Sequence, residues 1–376
     1  MQLLYGVVGE GMGHATRSRV VIEHLLARGH GIRVVVSGRA HKYLSDVFRD
    51  RENIDVHAIE GFSLAIDGEG VDLSETILSN LELLPARLRR NLATYSRIVE
   101  TGFTPQAVVS DFESWAWCYG LNHRLPVVSI DNMHVLDRCA HPERIADPSD
   151  PDFVLARAAV KVKLPGAYHY LVTSFFFPPV RKRRTTLVPP ILRPEVVRAV
   201  REPGEHVIVY QTAATNERLV PLLQRLPGPF VVYGMDRRGA EGNVTFRPFS
   251  ETGFLDDLRT ARACIATGGF SLMSEAVHLG VPLLAVPLDG QFEQELNCRW
   301  LARLGYGRWT PSLEEGGVRR FLEDLPRFEE CLRDYPRQGN EVVLSCLDEL
   351  LDCIAADVDA PDRVQTPNLG AYPAQG

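Results

Sequence analysis

The sequence predicts an α/β protein with two Rossmann-like halves. Short apolar runs alternate with amphipathic stretches, which is typical of parallel sheets with right-handed crossovers. The same alternation restarts at His206. The chain has 376 residues, which at roughly 150 residues per domain suggests two domains and a terminal extension.

The first half is predicted to alternate strands and helices. Its continuous apolar runs suit strands that are buried on both faces. The expected strands are Leu3–Val8, Ile32–Ser37, Asp55–Ile59, Ala107–Ser110 and Val127–Ile130, and the expected helices are Ala15–Arg28, His41–Arg49, Leu73–Thr101 and Trp115–Asn122.

The second half repeats this organisation after a linker. Three prolines in Leu187–Pro194 suit an extended connection. The expected strands are Val207–Tyr210, Phe230–Tyr233, Ala263–Ala266 and Pro282–Val286, and the expected helices are Asn216–Leu226, Thr252–Ala261, Leu272–Leu279 and Glu293–Leu304. The predicted units are two domains, 1–190 and 191–330, closing helices at 331–356, and a disordered tail at 357–376, which is rich in Pro, Asp, Gln and Gly.

Composition excludes several classes of protein. Apolar residues make up 45% and charged residues 24%, as in ordinary globular proteins. The formal charge of −7 disfavours a nucleic-acid binder. Seven cysteines without a C-x-x-C pair favour a reducing, cytoplasmic compartment over a disulfide framework or zinc site. The N-terminus lacks the positive region of a signal peptide, and no apolar run approaches the ~20 residues of a membrane span.

A glycine-rich loop, Gly9–His14, follows the first strand and opens the first helix. Glycines allow a ligand to approach the backbone, and a helix N-terminus offers free N–H groups with partial positive charge. The spacing G-x-G-x-G-H differs from the dinucleotide fingerprint G-x-G-x-x-G. A ligand-binding loop and a tight turn with an incidental histidine are equally open interpretations.

His14 is a candidate general base. An imidazole at a positive helix end stays neutral and can take the proton of an attacking hydroxyl. Asp111 ends Ala107–Ser110 at the carboxyl edge of the same predicted sheet, where open α/β sheets bind ligands. It is therefore a candidate partner for His14. Its alternative role is the N-cap of the helix that contains Trp115.

The strongest motif surrounds Gly268-Gly269. An apolar strand leads into these glycines, then Ser271, then a helix. Backbone N–H groups at this helix start could hold a pyrophosphate. Glu275 lies one turn further, where its carboxylate could accept hydrogen bonds from ribose hydroxyls. Its alternative role is a capping-box partner of Ser271 or Thr267.

Further polar residues follow the next strand, within Pro287–Asn297. Glu293 and Gln294 would lie at the ligand edge of the second sheet. Their alternative role is an exposed first helical turn, where acidic residues are routine.

These residues together resemble the donor-binding signature of the UDP-glycosyltransferase superfamily. The matching residues are Gly268-Gly269 through Glu275-Ala276, Gly280-Val281-Pro282, Pro287 and Glu293-Gln294-x-x-Asn297. The signature is also similar to that of the N-acetylglucosaminyltransferase of lipid II synthesis. Gly9–His14, continued as Ala15-Thr16-Arg17-Ser18, resembles the N-terminal signature of a prokaryotic branch of the superfamily. The resemblance spans most of residues 1–310.

The resemblance implies a GT-B fold, with two facing Rossmann-like domains and a deep interdomain cleft. It further implies an inverting glycosyltransferase without cofactor or bound metal, whose first domain binds the acceptor and whose second binds the nucleotide sugar. His14 matches the general base and Asp111 its partner. The implied donor residues are Gly268, Gly269 and Ser271 near the diphosphate, Glu275 at the ribose, Glu293 and Gln294 at the sugar hydroxyls, Phe249 at the nucleobase through its backbone, and Thr212 in a second diphosphate loop.

The acceptor side is poorer in motifs. Its candidates are Gly11, Met12 and Gly13 in the first loop, the aromatic Trp115, and Asn132 and His134 after the strand Val127–Ile130. His134 is also a rival base to His14. Small-molecule and lipid-linked acceptors are both open, and so is the oligomeric state.

One segment allows peripheral contact with an anionic membrane. Phe175–Pro179 is apolar and is followed by the basic run Arg181–Arg184. A buried strand end followed by a solvated turn is the favoured interpretation, because such sequences are more common in that role.

Two other functions fit the same fold. A non-hydrolysing UDP-sugar 2-epimerase needs additional acid–base carboxylates, and no convincing set can be placed. A catalytically silent nucleotide-sugar-binding protein does not need a His14–Asp111 pair, and it gains support if these side chains lie beyond about 4 Å. A UDP-sugar is the favoured donor, with a dTDP-sugar next.

Overall fold

The computed structural model describes residues 1–9, 11–61, 65–67, 70–211 and 216–364. In these ranges the chain forms two seven-stranded sheets and one two-stranded sheet. Thr212, predicted to face the diphosphate, lies outside the described residues.

The first sheet is parallel throughout. The strands of the first half are β1 (Gln2–Val7), β2 (Gly31–Val36), β3 (Ile54–Ala58), β4 (Ala65–Asp67), β5 (Gly70–Asp72), β6 (Ala107–Asp111), β7 (Val127–Asp131), β8 (His169–Thr173) and β9 (Thr185–Val188). The sheet order is β3-β2-β1-β6-β7-β8-β9, and β4 pairs with β5 in a separate sheet. The order reverses between β1 and β6, and ligands bind outside the carboxyl ends of strands at such a reversal.

Helices cover both faces of the first sheet. They are α1 (Met12–Ala27), α2 (Gly38–Val47), α3 (Leu73–Glu100), α4 (Ser114–Asn122), α5 (Val135–Arg138) and α6 (Pro151–Lys163). Helix α1 begins three residues before the predicted start at Ala15, because Gly11 turns the chain with a φ of 92°. His14 therefore lies in the first helical turn.

The second sheet has the same reversal. Its strands are β10 (Val207–Tyr210), β11 (Phe230–Tyr233), β12 (Gly239–Glu241), β13 (Val244–Phe246), β14 (Ala263–Ala266), β15 (Leu283–Ala285) and β16 (Gly307–Trp309). The order is β12-β13-β11-β10-β14-β15-β16, with only β12 antiparallel to its neighbour. The reversal between β10 and β14 places the carboxyl end of β14, and the glycines that follow it, at the ligand edge.

The helices of the second half are α7 (Pro194–Arg198), α8 (Leu219–Gln224), α9 (Glu251–Thr260), α10 (Phe270–Leu279), α11 (Phe292–Arg303), α12 (Glu315–Glu323), α13 (Leu325–Arg333) and α14 (Glu341–Ala355). Helix α8 is shorter than the predicted Asn216–Leu226. Pro221 is tolerated only in a first helical turn, so the helix cannot begin much before it.

Helix α14 follows the second half of the chain but packs on the first sheet. Leu347 and Leu350 are fully buried in the core formed by β1, β2 and α1, and Asp348 accepts a hydrogen bond from His24 Nε2 at 2.9 Å. The chain beyond α14, predicted to be disordered, stays on this sheet as far as residue 364. Tyr168 Oη donates to Val358 O at 2.7 Å, and Val364 N donates to Thr186 Oγ1 at 2.9 Å.

Aromatic side chains form part of the contact between the two domains. The rings of Phe176 and Trp300 stack with centroids 5.0 Å apart, and Phe175 lies 6.0 Å from Phe270. Phe175 and Phe176 are each 1% exposed, which confirms their predicted burial, although the strand β8 ends before them at Thr173. In the basic run that follows, Lys182 pairs with Asp137 at 2.6 Å. In the described ranges, no helix is both long and apolar enough to cross a membrane.

Candidate active site

His14 and Asp111 meet at the reversal point of the first sheet. Strands β1 and β6 are in register so that Val7 lies beside Asp111, and the loop after β1 brings the first turn of α1 over this edge. His14 Nδ1 lies 2.8 Å from Asp111 Oδ1. The His14 side chain is 19% exposed and that of Asp111 only 2%, so the imidazole reaches the cleft and the carboxylate lies behind it.

Asp111 is held as a carboxylate by three further donors. Arg17 Nε donates to its Oδ2 at 2.8 Å, Arg17 NH2 donates to its Oδ1, and Ser18 Oγ donates to Oδ2 at 2.9 Å. Burial alone would raise the pKa of Asp111, but Arg17 and His14 outweigh it and hold that pKa well below its usual range.

The surroundings of His14 favour its neutral form. Burial lowers the pKa of His14, and the cations Arg17 and Lys163 lower it further. Asp111 acts in the opposite direction but does not reverse the shift. An imidazole that is neutral at pH 7 can accept a proton.

Glu113 caps helix α4 in place of Asp111. Its carboxylate accepts from Trp115 N at 3.0 Å and from Ala116 N at 2.7 Å. Between Asp111 and Glu113, the residue Phe112 adopts a left-handed φ of 53°. This turn leads the chain from the end of β6 to the capping residue Glu113. Burial raises the pKa of Glu113 to about 7 against these two donors.

The two glycine-rich loops face each other across the cleft. A Cβ atom added to Gly13 would overlap the Ser271 hydroxyl, so the starts of α1 and α10 are in contact. Gly269 is the N-cap of α10 and provides no side-chain cap, and the same is true of Gly11 for α1. Two positive helix ends with free N–H groups therefore converge, an arrangement that suits a bound anion.

Gln294 and Asn297 brace the second glycine loop from behind. Gln294 Oε1 accepts from Gly268 N at 3.1 Å and from Leu288 N at 3.2 Å. Asn297 Nδ2 donates to Gly268 O at 3.1 Å. Gln294 is 7% exposed, so in this structure its amide oxygen fixes the loop backbone.

Glu293 faces the first domain. Its Oε1 accepts from Asn132 Nδ2 at 2.7 Å and from Asn297 Nδ2 at 2.6 Å. Burial raises the pKa of Glu293 to about 7, although these donors and the charge of Arg17 oppose the shift. The alternative role of an exposed first turn is therefore not seen, because Glu293 is half-buried between the domains and Gln294 is buried.

Glu275 forms an ion pair with a residue of the linker. Arg193 Nε lies 2.7 Å from its Oε1 and Arg193 NH2 lies 2.7 Å from its Oε2. The alternative capping-box role is not seen among the described residues, since no side chain caps α10. The carboxylate lies one turn inside the helix whose start meets Gly13.

The acceptor candidates differ in access to the cleft. Gly11 is exposed, and Met12 and Trp115 are half-buried. Trp115 stacks on Tyr119 with centroids 5.8 Å apart. Asn132 is 4% exposed and His134 only 1%.

His134 is a poor rival to His14. Its Nδ1 lies 2.7 Å from Asp131 Oδ2, and its Nε2 is buried without a hydrogen-bond partner in the described chain. The side chain of His134 is only 2% exposed, against 19% for that of His14. Phe249, expected near the nucleobase, is 56% exposed and lies 5.9 Å from the ring of Phe254.

Known proteins resemble this chain over nearly its whole length. A family model described as glycosyl transferase family 1 matches residues 1–326. An uncharacterized glycosyltransferase of Methanosarcina mazei is 25% identical over 91% of this chain and 95% of its own length.

Solved structures share the fold. The glycotransferase of kitacinnamycin superposes with a TM-score of 0.66 and 17% identity, covering 93% of this chain and 98% of its own. CalG4, the calicheamicin glycosyltransferase, gives 0.62 and 18%, covering 94% and 99%. These likenesses confirm the predicted GT-B fold.

Proposed function

This chain belongs to glycosyl transferase family 1, and we propose that it moves a sugar, with inversion, from a nucleoside diphosphate to an acceptor hydroxyl. UDP is the favoured nucleotide and dTDP the next. His14 is the general base, and the reaction needs no bound metal. Seven free cysteines support a cytoplasmic location.

The contact between His14 and Asp111 carries this proposal. The two side chains are 2.8 Å apart, at the sheet edge that faces the start of α10. A protein that only bound a nucleotide sugar would not need a neutral, oriented imidazole at this place. The pairing therefore favours a transferase over a silent binding protein.

The proposed reaction is a single displacement. His14 Nε2 takes the proton of the acceptor hydroxyl while the acceptor oxygen attacks the anomeric carbon of the donor. The bond from that carbon to the diphosphate oxygen breaks, and the electron pair leaves with the diphosphate. The helix starts at Gly13 and Gly269 stabilise the charge that develops on the leaving group. The proposed reaction uses the tautomer in which Nδ1 donates its proton to Asp111, so that Nε2 is the atom that accepts.

The donor lies along α10 in this proposal. Backbone N–H groups from Gly269 to Ser271 hold the diphosphate, and Glu275 receives the ribose hydroxyls. Glu293 Oε2 accepts no hydrogen bond from the described residues, so it is available to the sugar. The glycosyltransferases of kitacinnamycin and calicheamicin, which share this fold, support a small-molecule acceptor.

Titration calorimetry in EDTA with UDP, dTDP and GDP tests the donor site. We expect micromolar binding of one nucleotide, UDP first. Glu275→Gln should weaken this binding at least about tenfold, since a charged hydrogen bond contributes about 1.5–3 kcal/mol. Glu323→Gln, an exposed position at the end of α12, is the matched control and should bind as the unaltered protein does.

Turnover is then followed as UDP release from UDP-sugars with a panel of hydroxyl acceptors. Proton NMR of the product shows whether the anomeric configuration has inverted. Failure of every nucleotide to bind in EDTA would remove the donor site from α10. Retention of configuration would contradict direct displacement.

A further inference from the structure

Arg17 lies at the centre of the site, where it contacts both His14 and Asp111. It lies three residues after His14, on the same face of α1, and is 4% exposed. Its Nε and NH2 both donate to Asp111, and NH2 also lies 2.7 Å from His14 Nδ1. Its third nitrogen, NH1, donates to Asn132 Oδ1 at 2.8 Å.

Asn132 connects Arg17 to the second domain through hydrogen bonds. Its Oδ1 accepts from Arg17, and its Nδ2 donates to Glu293 Oε1 at 2.7 Å. The amide has only one workable orientation here, because a flip would set its N–H against the guanidinium and its oxygen against the carboxylate. Asn132 thus fits a cation on one side and an anion on the other.

The chain of hydrogen bonds ends at the donor loop. Glu293 Oε1 also accepts from Asn297 Nδ2 at 2.6 Å, and the same amide nitrogen donates to Gly268 O at 3.1 Å. Direct bonds therefore connect Asp111 in the first sheet to the glycine loop of the second through Arg17, Asn132, Glu293 and Asn297.

We propose that Arg17 is a positioning residue that, through Asn132, couples the base His14 to the donor-side carboxylate Glu293 when the two domains close. This inference rests on the proposed function of His14 and Glu293. Glu293 contacts Asn132 across the two domains, and that contact fixes the plane of the guanidinium. The guanidinium in turn fixes the Asp111 carboxylate against which His14 is oriented.

Only an arginine can make this set of contacts. The planar guanidinium presents donors in a fixed fork, here to both oxygens of Asp111 and to Asn132. A lysine ammonium would keep the charge beside His14 but could not span both partners in one plane. The charge and the geometry of Arg17 can therefore be tested separately.

The first test measures the titration of His14 by NMR of histidine-labelled protein, with His14→Ala for assignment. The groups that face His14 are Arg17 on its own helix, Asp111 on β6 and Lys163 on α6. Arg17→Gln removes a cation beside the imidazole, so the His14 pKa should rise by about one unit or more. Arg28→Gln, at the far end of α1 and 55% exposed, should leave it unchanged.

The second test is a double-mutant cycle of Arg17→Gln and Glu293→Gln, measured as kcat/KM for UDP release. If the two residues are coupled, the double variant should lose little more kcat/KM than the more impaired of the two single variants. If the fold-losses in kcat/KM of the two single variants multiply in the double variant, the coupling is overturned. If the His14 pKa is unchanged in Arg17→Gln, the proposed action of Arg17 on the imidazole is overturned. If Arg17→Gln does not fold, Arg17→Lys replaces it in both tests. It should leave the His14 pKa low yet lose the coupling to Glu293, and a preserved coupling would overturn the proposal.

The two tests separate the possible failures. An unaltered protein that releases no UDP contradicts the proposed function, while the titration of His14 still decides whether Arg17 acts on the imidazole. If His14→Ala abolishes turnover but the His14 pKa is unshifted in Arg17→Gln, the proposed function stands and the role of Arg17 is overturned.

Discussion

Arg193 forms a forked ion pair with Glu275 that joins the interdomain segment to α10, with both N–O distances 2.7 Å. The residue before it is fixed as well. Asn340 accepts from Leu192 N at 2.8 Å and donates to Leu192 O at 2.7 Å. The carboxylate proposed to receive the ribose is therefore tied to the connection between the domains and, through Asn340, to the start of α14.

The ion pair should contribute measurably to stability. We expect Arg193→Gln to lower the free energy of unfolding by about 1–3 kcal/mol, because a mostly buried Glu275 loses its counter-ion. The double variant Arg193→Gln/Glu275→Gln should lose less free energy of unfolding than the sum of the losses of the two single variants. In the double variant neither residue leaves an unpaired buried charge. Urea unfolding followed by circular dichroism measures all three. Arg225→Gln, whose ion pair is 57% and 36% exposed, is the control and should change stability by no more than about 0.5 kcal/mol.

The pH dependence of turnover should show where His14 titrates. Burial and Arg17 lower the pKa of His14 below its ordinary value of about 6.5. The base acts in its neutral form, so its contribution to kcat/KM is complete above the lowered pKa and falls as the pH drops through it. His14→Ala should lower kcat by about 10²–10⁴ while calorimetry shows unchanged UDP affinity. A loss of UDP binding equal to the loss of rate would assign His14 to the donor instead.

Glu293 should add a second, separate acid limb. Its pKa is raised to about 7, and its ionised form is the better acceptor for sugar hydroxyls. Activity should therefore fall as the pH drops through about 7 and fall again where His14 protonates. Glu293→Gln cannot ionise, so it should abolish the limb near pH 7 and keep the lower one. A limb near pH 7 that survives in this variant contradicts the assignment.

The close approach of Gly13 to Ser271 leaves no room for a side chain at position 13. Gly13→Ala would place a methyl group against the Ser271 hydroxyl and hold the two helix starts apart. We expect kcat/KM to fall at least about tenfold, since displacements near 1 Å can cost more than that. Ser271→Gly in the Gly13→Ala background should recover part of the loss relative to Ser271→Gly alone. Gly317→Ala, where an added methyl meets no atom within 4 Å, is the control.

The sequence was sufficient to predict contacts that follow from sheet topology. Strands buried on both faces appear as continuous apolar runs, and the ends of adjacent parallel strands lie at one edge. His14 and Asp111 could therefore be paired, because His14 follows β1 and Asp111 ends β6. Short strands such as β13 and β16, with three residues each, are too brief to show any period and were not predicted.

Other contacts depend on the path of the chain through space. Arg17 stands one turn after His14, but the spacing does not show that it faces Asp111. Arg193 and Glu275 are 82 residues apart, and no local pattern links them. The amphipathic helix α14 shows which of its faces is buried but not which sheet covers that face. Glu113 and Asp111 are both polar residues before a helix, and only the left-handed turn at Phe112 decides which one caps α4.

Glu113 provides a test of the first domain that does not depend on catalysis. It is 6% exposed, and burial raises its pKa to about 7 from an ordinary value near 4.5. Because the folded state holds this proton more tightly, the resulting stabilisation is complete below pH 4.5 and is lost as the pH rises through about 7. A shift of this size corresponds to at most about 3 kcal/mol.

Glu113→Gln should remove that pH dependence. Glutamine keeps one oxygen for a backbone N–H of α4 and loses the other, so at pH 5 the variant should be about 1 kcal/mol less stable than the unaltered protein. Since glutamine does not ionise, the difference should shrink or change sign by pH 8. Urea unfolding at pH 5, 6, 7 and 8 measures the difference, with Glu323→Gln as the exposed control. If the two stability curves stay parallel over this range, Glu113 is ionised throughout and its burial does not set its charge.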